Sequence, residues 1–170
     1  MGTEIADNRV MSLDAIDRKI LETLQREGRI TNQELSTRVG LTPAPTLARV
    51  HKLEEQGFIK GYVAIVDRLG LGLPVTAFVS VILHEHGKGQ ANEFLSAVRG
   101  MPEVLECHHI AGEEDYLLKV VAANPADYER FVLDELTQVP SVRRVKTTFV
   151  LSSPKCDTFV PIRAPEGVSS

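Results

Sequence analysis

The chain has 170 residues, 43% of them hydrophobic and 25% charged, with a formal net charge of −4 at pH 7. It is long enough for one large core or two small ones, and no apolar run reaches the length that spans a bilayer. The negative balance excludes a protein that coats nucleic acid by overall attraction, so any DNA binding has to come from a local basic face and fall with salt.

In chain order, Met1–Ser12 reads as a loose segment. It lacks a basic stretch followed by an apolar signal, and a cytoplasmic location is expected. Ile16, Ile20, Leu21 and Leu24 then recur at helical spacing, with Asp17, Arg18, Glu22 and Arg26 on the other side. A second helix starts at Thr31, whose partner three residues on is Glu34, the pattern of a capping box. Leu35 and Val39 face inward, and Gly40 supplies a left-handed helix end. Thr42 followed by Pro43 starts a third helix after a very short turn.

On that third helix Leu47, Val50 and Leu53 are predicted as the buried stripe, leaving Ala44, Pro45, Ala48, Arg49 and Lys52 outside. Two helices so joined form a helix-turn-helix, and the second enters the major groove. Arg49 is the first candidate for a base or phosphate contact; Lys52, His51 and Thr46 follow. Gly57 ends the helix. Phe58–Ile65 is an extended run, suited to a wing or to a neighbouring element.

Asp67–Pro74, rich in glycine and closed by proline, reads as a hinge. Beyond it the period changes. Val75–His84 is a strand, Gln90–Val98 a helix, Glu103–Ala111 a strand, Gly112–Glu114 a turn and Tyr116–Ala122 a strand. Asn124 and Pro125 open a helix that turns Tyr128, Phe131, Val132 and Leu136 inward, and Val142–Leu151 is the fourth strand. The expected fold class is α+β: a winged helix-turn-helix domain over 13–66, a hinge over 67–74 and a ferredoxin-like βαββαβ domain over 75–162. Cys156–Ile162 is a candidate edge strand of that second domain, and 163–170 a loose tail.

The first strand carries apolar groups on both faces, Val75, Ala77, Val79, Val81 and Leu83 on one, Phe78 and Ile82 on the other. Two helices cover one face only, so a second copy of the chain is expected against the other. Cys107 and Cys156 fit no zinc-ligand spacing, and free thiols are expected. His84, His86, Cys107, His108 and His109 lack the spacing of a metal site, so neither metal nor cofactor is expected. No Gly-rich phosphate loop, G-x-S-x-G elbow or H-E-x-x-H helix is present, which argues against an enzyme.

The succession I-D-R-K-I-L, G-R-I-T-N-x-E-L-S, R-V-G-L-T-P, R-V-x-K-L-E and G-x-I-x-G-Y closely resembles the Lrp/AsnC family of transcription regulators. The resemblance continues through ECHHIAGEEDYLLKV and spans Leu13 to about Ile162. It implies a homodimer that assembles further to tetramers or octamers. It also implies an amino acid or similar small effector bound between subunits, around a G-x-x-D-Y turn that is here Gly112, Glu113, Glu114, Asp115 and Tyr116. Gly112 offers backbone donors to a carboxylate, Asp115 or Glu113 accepts an ammonium, and His109 and Thr148 are further candidates.

Two functions follow from this sequence: a DNA-binding regulator, or a sensing and assembly module whose helical domain contacts protein. On the DNA face the chain departs from the family pattern, with His51 and Lys52 where arginine is frequent and Ala48 at a frequently polar position. Readout is expected to lean on thymine methyl contacts by Ala44 and Ala48 and on DNA shape.

Overall fold

Capping chemistry sets the borders of the three N-terminal helices in the computed structural model, which describes residues 13–84 and 87–163. The end segments Met1–Ser12 and Ala164–Ser170, and His86, lie outside the described residues. Helix α1 (Ala15–Arg26) starts in a capping box in which the Asp14 carboxylate accepts the Asp17 N–H at 2.8 Å and Asp17 reaches back to the Asp14 N–H. Helix α2 (Asn32–Val39) starts in a second box, Thr31 with Glu34, and ends on Gly40 at φ 78° and ψ 32°. Only a residue without a Cβ takes that conformation freely. Helix α3 (Pro43–Glu55) has proline at its first position, where no N–H is needed. The Asn32 amide donates to the Pro43 carbonyl at 2.9 Å and ties α2 to the start of α3.

Ile20, Leu21, Leu35, Val39, Val50 and Leu53 form the core of this unit. Two expectations are corrected here. The buried stripe of α3 runs through Thr46, 0% exposed, while Leu47 is 43% exposed; Thr46 tolerates burial because its hydroxyl donates to the Thr42 carbonyl at 2.9 Å. Asp17 is likewise buried, not on the solvated side of α1. Phe58–Ile65 forms no strand; Tyr62 donates its hydroxyl to Glu54 at 3.0 Å, and Val63 and Ile65 stay exposed.

The end of the described chain belongs to this unit and not to the second, so the expected edge strand over Cys156–Ile162 is absent. The Gln25 side-chain amide meets both main-chain groups of Val160, accepting its N–H at 2.7 Å and donating to its carbonyl at 3.1 Å. One glutamine thus does for Val160 what a neighbouring strand would do. The Arg26 guanidinium lies 4.6 Å from the centre of the Phe159 ring, and Ile162 packs on the helical core.

Residues 65–155 make the second unit. Its start is less free than a hinge: Asp67 accepts the N–H groups of Leu69 and Gly70, and Arg68 donates to the Thr76 hydroxyl. Strands β1 (Val75–Leu83), β2 (Val104–His109), β3 (Tyr116–Ala122) and β4 (Val142–Phe149) form one antiparallel sheet in the order β2-β3-β1-β4. Helices α4 (Lys88–Arg99) and α5 (Pro125–Asp134) complete the βαββαβ succession. They bury Ala77, Val79, Val81, Leu118 and Val120 with Phe94, Val98, Tyr128 and Phe131. Each large side chain so covered contributes about 1.5–3 kcal/mol. No helix among the described residues is long and apolar enough to cross a membrane.

Truncation after Lys155 is expected to destabilise the helical unit selectively. Hydrogen exchange of α1 amides should quicken by about tenfold while β1 amides keep their protection; equal rates in α1 would contradict the role given to Gln25, Phe159 and Ile162.

Candidate nucleic-acid interface and small-molecule cavity

With Thr46, Val50 and Leu53 turned inward, α3 leaves Ala44, Pro45, Leu47, Ala48, His51 and Lys52 exposed. This is a narrow surface, small and apolar over its first two turns and basic after them. Its side chains are short at the start of the helix, and its two cations, His51 and Lys52, lie on the turn that follows. Thr46 is withdrawn from this surface by its burial.

Arg49 stands apart from the others. Its Nη1 donates to Asp14 Oδ2 at 2.6 Å and to Asp17 Oδ1 at 2.7 Å. The Asp17 N–H, followed by the Arg49 guanidinium, holds the Asp14 carboxyl below the usual carboxylate range. Periodicity on α3 alone could not show this pairing, because its partners lie more than thirty residues earlier. The legible signal was Asp14 and Asp17 at the spacing of a cap.

In the second unit, a cavity of about 320 Å³ is bounded by Leu83, Gly87, Lys88, Ala91, His109, Asp115 and Tyr116. Three predicted effector residues, His109, Asp115 and Tyr116, therefore meet. The β2–β3 register sets His109 opposite Tyr116, and their rings lie 5.1 Å apart. Tyr116 also packs against Phe94 at 4.8 Å, and burial, ahead of the nearby Cys107 and Asp115, pushes its phenol up. Asp115 accepts the Leu83 N–H at 2.8 Å, which fixes one carboxylate oxygen at the end of β1. Lys88 and Ala91 come from the first turns of α4, and Lys88 fell outside the expected helix because α4 begins two residues before Gln90. Gly87 caps that helix without a side-chain bond.

The remaining candidates, Gly112, Glu113 and Thr148, stand elsewhere on this unit. Gly112 and Glu113 are exposed on the turn between β2 and β3 and do not line the cavity. Thr148 pairs with Phe78 on β1, placing both on the sheet face away from the helices, whereas Tyr116 pairs with Val81 on the helix-covered face. That outer face also carries Leu117 and Ile82 with Lys119, Glu106, His108, Lys146 and Arg144. Glu106 accepts from Lys119 at 2.7 Å and lies 3.2 Å from His108, and these partners hold its carboxyl low. Burial pushes the Cys107 thiol up, the environment of a small apolar group and not of a reactive thiolate.

Residues 13–60 match the model of winged helix-turn-helix DNA-binding domains, and residues 76–160 match that of the Lrp/AsnC ligand binding domain. The leucine-responsive regulatory protein of Escherichia coli is 41% identical over 143 residues, 84% of this chain and 87% of that protein. The transcriptional regulator AzlB of Bacillus subtilis is 39% identical over 150 residues, 88% of this chain and 96% of that protein. A transcriptional regulator from Neisseria meningitidis, solved as its complex with L-methionine, matches with a TM-score of 0.85 at 39% identity, covering 88% of this chain and 97% of that one. Two domain models in the order the fold requires, and relatives matched over most of their length, place the chain in the Lrp/AsnC family of DNA-binding transcription regulators, a family of regulators and not of enzymes.

Proposed function

We propose that this regulator, acting in the cytoplasm, reads operator DNA with Ala44, Pro45, Ala48, His51 and Lys52 of α3 and responds to a free amino acid bound at an interface between subunits, to which each chain contributes the cavity between α4 and the β2–β3 turn. The observation that carries the DNA reading is the division of α3 into a buried stripe and an exposed face of small and basic residues. With a negative chain overall, attraction to duplex is local to this face and is doubled when two copies present it together. Ala44 and Ala48 are suited to thymine methyl groups, His51 and Lys52 to phosphate or base acceptors.

The cavity offers both ends of a zwitterion a partner. Asp115 is the anion for an ammonium, and Lys88, together with the N-terminal amides of α4, is the counterpart for a carboxylate. Leu83, Ala91 and the rings of His109 and Tyr116 leave an apolar wall for the side chain. The methionine complex of the Neisseria regulator and the name of the leucine-responsive relatives support an aliphatic amino acid as the class.

A homodimer formed on the outer sheet face accounts for the exposure of Phe78 there. Assembly of dimers to tetramers or octamers is the further step proposed for the family member described here. The effector changes DNA affinity only through its differential affinity for two arrangements of that assembly. Bending belongs to the run 61–67, which has no regular structure, ahead of the Asp67-bound turn.

Two outcomes are expected. Lys52→Ala should weaken operator binding and lower the slope of log affinity against log salt by about one per subunit contact, measured by fluorescence anisotropy; an unchanged slope would remove Lys52 from the interface. In a thermal-shift comparison of the twenty amino acids, an aliphatic one should raise Tm, and Asp115→Asn, which keeps an acceptor for Leu83, should weaken that response by tenfold or more. Equal responses of the two proteins would refute the role of Asp115.

A further inference from the structure

We infer that Arg49 is a positioning residue for the recognition helix, setting the angle of α3 against α1 through Asp14 and Asp17, and is not itself a contact to DNA. The inference rests on the assignment of α3 as the DNA-reading element and adds to it the device that fixes its orientation.

Three observations converge on this one side chain. Asp17 is 6% exposed, so its charge has little water and needs a cation nearby; burying a carboxylate without one is strongly unfavourable. Arg49 Nη1 is that cation, and the same nitrogen contacts Asp14, at 2.6 Å and 2.7 Å for the two acids. The acids are themselves locked to each other's main chain by the capping box. Arg49 therefore grips not a mobile side-chain pair but the rigid first turn of α1. Because it sits mid-way along α3, a rotation of that helix about its axis, or a tilt of its start, would break both contacts at once.

The charge count agrees with the geometry. Two carboxylates surround one guanidinium, so the cluster carries a local surplus of negative charge and is a poor place for a phosphate. Only 32% of the Arg49 side chain is exposed. The basic contribution to DNA then falls to His51 and Lys52, the outward residues of the following turn.

Geometry also says which substitutions matter. A single nitrogen makes both contacts, so an ammonium can replace it. Asparagine at 14 and 17 keeps acceptors for the capping bonds but removes the charges that hold Arg49.

The test compares operator with random duplex, by anisotropy over a salt series, for the full-length protein and three variants: Arg49→Ala, Arg49→Lys and the double variant Asp14→Asn/Asp17→Asn. Circular dichroism confirms folding at the assay temperature. Arg49→Ala and the double variant should each lower the operator-to-random affinity ratio by roughly tenfold with the salt slope unchanged, and Arg49→Lys should restore most of it. A slope reduced by about one in Arg49→Ala, or binding unchanged or tightened in the double variant that frees Arg49, would overturn the inference. Melting temperature provides a reading that needs no DNA: combining Arg49→Ala with the double variant should cost much less than the sum of the two shifts, each on the order of 5–10 °C. Additive shifts would also overturn the clamp. Should the unaltered protein fail to distinguish operator from random duplex, the DNA assignment of α3 fails, and the clamp is then judged on the melting temperatures alone.

Discussion

Burial of Thr46, Val50 and Leu53 against the other two helices is the contact on which the DNA-reading surface depends. A helix of thirteen residues has no preferred outward face until one stripe is taken up by a core. Once that stripe is fixed, the outward set follows from the 100° turn, and the Arg49 cluster removes the remaining freedom of rotation. Two of these constraints are local, a proline to start the helix and a hydroxyl that can be buried because the carbonyl four residues back accepts its proton, and the third is an ion pair to the cap of α1, 32 and 35 residues away. The functional surface is what these constraints leave over.

The second unit uses the same logic on a sheet. Its two helices cover one face, and the strands' twofold alternation sends Tyr116 and His109 to that side and Thr148 and Phe78 to the other. The cavity exists where α4 begins and the sheet ends, so the side chains around it come from three different segments of the chain. The Asp115 carboxylate accepts the Leu83 N–H and so ties the start of β3 to the end of β1. The opposite face carries Phe78, Leu117 and Ile82 among charged groups, an apolar centre with a polar surround.

Much of this was legible in the sequence because the determining interactions span few residues. The Thr31–Glu34 box, Gly40, Pro43 and the period-two strands are signals within a single element, and the structure has them where the sequence puts them. What was not legible depends on long range. Leu47 and Thr46 both fit a helical stripe at one end, and only the packing decides that Thr46 takes the inner place. Arg49 has the composition of a DNA contact, and its ties to Asp14 and Asp17 appear only when α1 is laid beside α3. Val160 finds its main-chain partner in the side chain of Gln25, 135 residues away, which no strand periodicity near Cys156 could disclose. Thr148 stands on the sheet face opposite to Tyr116 and His109 by register parity, since a single position along β4 changes the face on which a side chain stands.

Two copies of α3 that enter successive major grooves of one duplex would touch it at points one helical turn apart. Hydroxyl-radical footprinting of the full-length protein on a site selected from random sequence tests this docking most directly. Paired protections about one helical turn apart are expected, both lost when Lys52 and His51 are replaced together by alanine. Protection that is unpaired, or that survives this replacement, would contradict it.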